Sequence, residues 1–471
     1  MSKRKLILSV LINGVLLSSL YVAGAVDVAP GSGNGVAIGT GSNAPKAENV
    51  AIGKGATIEY SGGVGQPSTG DIVIGGKAHI NNYIDQGGGI AIGANSFVEN
   101  MVGGMERAFD FNQAGYKNLF GIPFGLPKNP EKMVTGMAIG QNTYARSGSI
   151  MLGTHNYKGK LGDVDVDSSN TKNNNGHLFS TTIGANSYSN GLFSSIVGAY
   201  SIASSGYPTT TADATKNFGA TITGSLNSIE STSASSQYSG VANSIVGTAN
   251  RTFNSNGSLV FGAGNEITNS VTSISAPSSG GNSAKELSEK LRSAVKNSNG
   301  GGSTMAFGSG NKADYTLRSA LMGVNNTLTG SQGKESKNTM LTGFHNTADK
   351  VSNTTVIGSE NTVTNSKNSL VMGDNREVKD ANHAVLIGST DSKTTTSVNN
   401  AVAVGHNTNV TVEGGVALGS ESKATVAAGS VGYDPSTKAQ STNTDSTWKA
   451  TKSAVSVGDA NNNITRQITS V

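Results

Sequence analysis

The sequence predicts an all-β protein: a parallel β-roll, that is, a solenoid of short stacked rungs, with one short helical insertion. Three observations predict it. A phrase of two or three small or aliphatic residues closed by glycine recurs along most of the chain. The interval between its copies is nearly constant. The composition is too poor in large apolar residues to fill several compact cores, with hydrophobic residues at 35%, aromatics at 5% and 63 glycines in 471 residues.

The phrase first appears as Val36-Ala37-Ile38-Gly39 and is answered by Val50-Ala51-Ile52-Gly53, Ile72-Val73-Ile74-Gly75 and Ile90-Ala91-Ile92-Gly93. It returns as far as Gly419. Self-similarity at a short fixed period marks a stack in which each layer buries its apolar face against its neighbours. Gly343, Gly358, Gly373 and Gly388 are spaced by 15 residues, Gly39 and Gly53, Gly184 and Gly198, and Gly405 and Gly419 by 14, and Gly140 and Gly153 by 13. At roughly 3.3 Å per strand residue, such a rung holds about two strands of four or five residues and two turns. The phrase is the first strand, and its glycine supplies the backbone freedom to leave it sharply.

Asparagine follows each glycine. Asn142, Asn186 and Asn407 lie two residues after it; Asn250, Asn311, Asn346 and Asn361 lie three after it, in rungs of 15. One extra turn residue before Asn therefore accounts for the longer rungs, with Asn375 departing from the rule. Asn suits turns because it tolerates the left-handed conformation. Stacked turns place Asn over Asn, allowing side-chain ladders along the axis. Small interior residues such as Ala37, Ala51 and Ala91 predict a thin core that benefits from burying a flank against identical copies.

Net charge is +4, with Lys3, Arg4 and Lys5 at the extreme N-terminus, so the rest is near neutral and unlike a nucleic-acid binder. Those three residues, the apolar run Leu6 to Val22 and the small residues Ala23-Gly24-Ala25 read as a signal peptide over 1–25, with an uncleaved anchor as the alternative. Cysteine is absent, so an exported chain of this kind holds together by stacking or oligomerisation.

Regular rungs are scaffold, and function is sought where the period fails: 94–139, 154–183, 199–223 and 263–307. The first interval concentrates Phe97, Phe109, Phe111, Tyr116, Phe120 and Phe124 with three prolines. Rings on a loop fixed to a rigid scaffold anchor protein partners; the competing reading is a satellite core packed on the roll or on a neighbouring subunit. In 263–307, Ala284, Leu287, Leu291 and Ala294 follow helical steps, with Ser283 as cap, predicting a helix laid on the roll. Asp163, Asp165 and Asp167 lack the glycine and closing glutamate of a calcium loop and read as solvated. The six histidines are scattered, and neither metal-ligand spacing, a nucleophile elbow nor a phosphate loop occurs. No catalytic residue, metal or cofactor is assigned.

The repeats over residues 31–432 resemble the head of YadA-like trimeric autotransporter adhesins. The C-terminal stretch looks like that family's head-to-neck junction: Ser430-Val431-Gly432-Tyr433-Asp434-Pro435, Thr447-Trp448-Lys449-Ala450-Thr451, Ala454-Val455-Ser456-Val457-Gly458 and Thr465-Arg466-Gln467-Ile468-Thr469. The resemblance implies a left-handed β-roll head over 26–432, a neck over 433–471, and assembly as a homotrimer with Trp448, Arg466 and Gln467 at the neck. It implies a surface-exposed or secreted bacterial adhesin. The implied ligand is a host receptor, such as a carcinoembryonic-antigen-related adhesion molecule, or an extracellular-matrix protein. The family's C-terminal membrane barrel has no counterpart before Val471. Competing classes are a solenoid enzyme (polysaccharide lyase or hexapeptide-repeat acyltransferase) and a purely structural surface protein. A six-residue period would mark the acyltransferase, and a cluster of acidic and basic residues on consecutive rungs would mark the lyase; neither is present.

Overall fold

A strand of three or four residues has no stability alone, so a chain built of them must stack. The computed structural model shows that stack and describes residues 29–61, 70–82, 87–100, 135–156, 178–189, 191–207, 216–232, 239–278 and 284–470. The predicted signal segment lies outside the described residues. The contacts divide the chain into two compact units, Met1–Gly103 with Pro127–Gly148, and Gly104–Leu126 with Ser149–Val471. Both are parallel β-solenoids. Among the described residues no helix is long and apolar enough to cross a membrane.

In the first unit the phrase strands Val36–Ile38, Val50–Ile52, Ile72–Ile74, Ile90–Ile92 and Met137–Ile139 pair in parallel, phrase against phrase. A second sheet is formed by the return strands Thr57–Tyr60, His79–Asn82, Phe97–Asn100 and Tyr144–Arg146. Only the middle residue of each phrase faces the core, so Ala51, Val73 and Ala91 lie across from Ile58, Ile80 and Val98, all fully buried. The small phrase residues leave room for the larger return residues.

The second unit repeats the plan from Ile150–Thr154 to Val416–Leu418, with glycine held on glycine, as in Gly343↔Gly358. The pairing continues beyond the last predicted rung. Val455–Ser456 pairs in parallel with Val416 and Ala417, so Val455-Ser456-Val457-Gly458 is one more phrase, within the stretch read as neck. Opposite, the return strands run from Tyr188–Ser189 to Thr394–Thr396. A third, shorter side joins Thr316–Leu317 to Ser336–Lys337 and continues through bridges Lys337↔Ser352 and Ser352↔Lys367.

That third side corrects the two-strand, two-turn rung. In most rungs of this unit the residue two after the rung glycine turns the chain in the left-handed conformation, with φ between 50° and 60° at Asn186, Tyr200, Leu226, His345, Glu360, Asn375 and Asn407; Thr390 departs from it. A second left-handed corner lies five residues before the next glycine, as at Phe193, Asn353, Asn368 and His383. Rungs with the third side add a corner seven after the glycine, at Tyr315, Lys350, Asn365 and Asp380. The 14-residue rungs Gly184–Gly198 and Gly405–Gly419 lack it. The extra residue thus enters the far half of the rung, and the turn before Asn has constant length. Asn375 obeys this geometry because it occupies the first corner.

The asparagines three after glycine form a different structure, a buried ladder. Asn346 Nδ2 donates to Asn326 Oδ1 at 2.9 Å and to the Gly358 carbonyl at 2.7 Å. Its Oδ1 accepts from Asn361 Nδ2 at 2.9 Å and from the Asn361 backbone N–H at 3.2 Å. The pattern runs through Asn227, Asn250, Asn265, Asn311, Asn326, Asn346 and Asn361. Arg376 takes the next place. Its buried guanidinium donates to the carbonyls of Gly388 (2.7 Å), Gly405 (3.1 Å) and Thr408 (2.5 Å), covering two further rungs. Burial lowers its pKa to about 10. The rung glycines are fixed by contact as well as by φ. A Cβ on Gly358, at φ 132°, would lie 1.9 Å from the Gly373 carbonyl oxygen.

Candidate binding surfaces

Two surfaces follow from this geometry: the outer face of the phrase sheet, and the edge from which the rungs are interrupted. With only the middle phrase residue buried, its neighbours point outward. In the first unit Val36, Ile72 and Ile74 are exposed. In the second unit Ile150, Ile183, Val197, Phe261, Met305, Met322, Met372, Ile387 and Leu418 are exposed, and Phe261 stacks on Phe307 at 6.4 Å. Contiguous apolar surface of this kind marks an interaction face. Val455, on the last phrase strand, is 62% exposed.

Within each unit most interruptions follow a return strand; the break after Asn156 instead follows the phrase strand Ile150–Thr154. In the first unit the breaks after Ser61, Asn82 and Asn100 each follow a return strand. In the second unit the breaks after Tyr207 and Thr232, and the chain between Thr268 and Met305, do the same. Solenoids commonly gather insertions on one side, and that side commonly binds.

In the first unit a buried polar column closes these interruptions at their roots. Asp71 accepts from Tyr60 Oη at 2.7 Å, from Asn82 Nδ2 at 3.0 Å and from the Gly89 N–H at 2.9 Å. Asn82 Oδ1 accepts from Asn100 Nδ2 at 2.8 Å, and Asn100 Oδ1 accepts from the Gly136 N–H at 2.9 Å. Each excursion is therefore tied across its two ends. Burial raises the Asp71 pKa above the ordinary carboxylate value, against the lowering effect of its three donors and of Lys46. On the same return strand as Asn100, Glu99 accepts from Tyr144 Oη at 2.5 Å and lies 3.9 Å from Arg146 Nε, all three residues being buried.

Of the six aromatic candidates, Phe97 lies on a return strand, half-buried in a ring ladder with His79 (5.1 Å) and Tyr144 (5.4 Å). The structure thus places it in the scaffold at the root of the interruption. Phe109, Phe111, Tyr116, Phe120 and Phe124 lie outside the described residues, as do Asp163, Asp165, Asp167 and Ser283.

The predicted helix spans Ala284–Asn297. Leu287 is buried, and Leu291, Ala294 and Val295 pack with it against a satellite cluster of Leu178, Leu192, Phe218, Val241 and Ile274. Phe179 stacks on Phe193 beneath it at 5.4 Å.

The neck candidates separate. Arg466 donates to Ser422 Oγ at 3.0 Å and to the Ser420 and Val457 carbonyls, all contacts within the chain. Trp448 is half-buried, its carbonyl accepting from the Gly432 N–H, and Gln467 is exposed. Among the described residues no group of three or more His, Cys, Asp or Glu side chains is placed to hold a metal. His345 and His406 pair with Glu360 and Asp391 at exposed corners.

Sequence reasoning did not find the outer apolar face or the Asp71 column. The signal for the first was three aliphatic residues in succession. For the second it was the polar residues Asp71, Asn82 and Asn100 close to the interruptions. No known protein family matches the sequence, and no curated protein aligns with it significantly.

Proposed function

We propose that this chain is a non-catalytic, multivalent adhesin exported to the bacterial surface, acting as a homotrimer. Its rungs form a rigid support, and the interruption at 101–134 carries the contact with the host. The observation that carries the reading is the outer face of the phrase sheet. Ile72, Ile74, Met322 and Ile387 stay more than a third exposed within one chain. Covering such a face with further copies removes apolar surface at about 25 cal/mol per Å². Three copies then present three contacts, so avidity lets weak individual contacts hold a cell. The ligand class is a host cell-surface glycoprotein, such as a carcinoembryonic-antigen-related adhesion molecule, or an extracellular-matrix protein.

The test has two arms. Sedimentation of residues 26–471 is expected to give a trimer, which Met322→Glu with Ile387→Glu dissociates while the circular dichroism stays unchanged; a monomeric wild type refutes the assembly. Binding to an array of host receptors and matrix proteins is expected to fall at least about tenfold when 101–134 is replaced by a short Gly-Ser linker. The hydrogen bond from Gly136 to Asn100 brings the ends together for that replacement. Unchanged binding removes the site.

A further inference from the structure

In the second unit, consecutive rungs break the rule that the phrase sheet is aliphatic outside. The outward residue that opens each phrase strand is Ile150, then Thr181, Ser195, Thr221 and Ser244 on successive rungs, then Leu259. The hydroxyl residues are smaller than the isoleucine and leucine that flank them. The margin where strands enter the sheet therefore carries a recess three steps long, at about 4.8 Å per step. Within the described residues none of these hydroxyls has a hydrogen-bond partner.

The opposite margin ends at the first corner, and there the reversal runs the other way. Corner residues elsewhere in this unit are polar or small, such as Asn325, His345, Glu360, Asn407 and Glu421. Tyr200 and Leu226 are instead 57% and 58% exposed, and among the described residues of this unit they are the only large apolar side chains at that corner. They stand on successive rungs, the Leu226 N–H donating to the Ala199 carbonyl. Their φ values of 52° and 60° cost a tyrosine or a leucine more than the asparagine or glycine used at other corners. Neither side chain is buried in return.

Recess and ridge thus occupy the same rungs on opposite margins of one sheet. Cyclic symmetry about an axis along the stack brings one margin of each copy against the opposite margin of the next, at the same height. We propose that Tyr200 and Leu226 of one copy seat in the recess formed by Thr181, Ser195, Thr221 and Ser244 of the next copy. Leu226 then loses its exposed apolar surface, and the Tyr200 hydroxyl, unpaired within the described residues, meets the open hydroxyls. A stack of like rungs presents almost the same face after sliding by one rung, and a ridge held in a recess removes that freedom. The inference rests on the homotrimer reading above and assigns the contact that fixes its register.

Sedimentation over a concentration series tests the contact. Tyr200→Glu with Leu226→Glu is expected to raise the concentration of half-dissociation at least about tenfold, with unchanged circular dichroism. Ser195→Met with Thr221→Leu fills the recess with side chains that Met305 and Leu259 carry at the same place on other rungs. It is expected to weaken assembly although it adds apolar surface. Unchanged assembly in the first variant, or unchanged or tighter assembly in the second, overturns the proposal. The chain has no cysteine, so co-expressed Leu226→Cys and Thr221→Cys proteins, treated with a short bismaleimide, report the contact directly. Covalent dimers are expected from that pair, and none from either protein alone or from Leu226→Cys with Val402→Cys, which opens a phrase strand far along the stack. A trimer that gives no dimers from the first pair, or equal dimers from the second, overturns this contact and leaves the trimer standing. A monomeric wild type overturns both.

Discussion

Replacing Asn346 by alanine tests whether the buried ladder holds the rungs in register. The side chain makes four ladder contacts: to Asn326 Oδ1, to the Gly358 carbonyl, and from the N–H and Nδ2 of Asn361. Two of these partners keep other ladder bonds, because Asn326 Oδ1 still accepts the Asn346 backbone N–H and Asn361 Nδ2 still reaches the Gly373 carbonyl. The Gly358 carbonyl and the Asn361 N–H lose their ladder partner. A buried polar group left unpaired costs about 1–3 kcal/mol, so the substitution should cost about 4 kcal/mol. The molecule supplies its own control. At the same position of a shorter rung, Ser187 Oγ donates to the Gly198 carbonyl at 2.7 Å and accepts from the Ser201 N–H at 3.0 Å. Asn346→Ser can make the same two bonds and should cost about half as much. Urea unfolding at fixed protein concentration measures both, and hydrogen exchange at the Asn361 amide localises the effect. An alanine variant within about 1 kcal/mol of wild type, with Asn361 protection unchanged, would refute the reasoning.

Gly358→Ala places a Cβ 1.9 Å from the Gly373 carbonyl oxygen at φ 132°, and should cost more than about 3 kcal/mol by urea unfolding. Gly333→Ala, at φ 78° with nothing within 4 Å, should cost only about 1–2 kcal/mol, and equal losses would refute the contact argument. Asp71 binds its proton more tightly folded than unfolded, so its contribution to stability grows as pH falls through the raised folded pKa and levels off below the unfolded value near 3.8. Asp71→Asn should flatten that part of the pH dependence of unfolding, and an unchanged profile would exclude Asp71 as its source. Arg376→Lys substitutes one nitrogen for a fork that reaches three carbonyls, and should cost about 2–4 kcal/mol by the same measurement; a neutral result would show that the carbonyls are satisfied otherwise.

The solenoid was legible because its information is local and repeated. The glycine is dictated at each rung by the next rung's carbonyl, and the helix at Ala284–Asn297 carries its periodicity in its own residues. The corners were less legible because several residue types accept a left-handed turn when stacking determines it. Tyr200, Leu226 and Glu360 occupy the corner that Asn186 occupies elsewhere, so following Asn alone merged two positions with different roles. Arg376 was invisible as a ladder member for a related reason. Its role depends on acceptors 12 to 32 residues away, brought beside it by the stack.

The phrase itself contains more than its repetition. Return strands alternate, as in Thr347-Ala348-Asp349 and Thr362-Val363-Thr364, which fits one buried and one wet face. Phrase strands such as Ile72-Val73-Ile74, Val385-Leu386-Ile387 and Val402-Ala403-Val404 do not alternate; all three residues are aliphatic. Continuous apolar runs are the pattern of strands covered on both faces. Within one chain only the middle residue is covered. If solubility alone shaped the outer face, its residues would resemble those of the return sheet, because the two sheets share the same rungs and the same solvent. The rungs around Ser195 and Thr221 make the contrast internal: Ser195, Thr221 and Thr223 stand where other rungs carry Ile, Met or Val. Polar residues are therefore compatible with these strand positions, and the aliphatic residues elsewhere are the ones that the proposed assembly would cover. A face that repeats with the rungs is matched in length and period by the same face on another copy, which is the argument for the self-association we propose over a partner of unrelated shape.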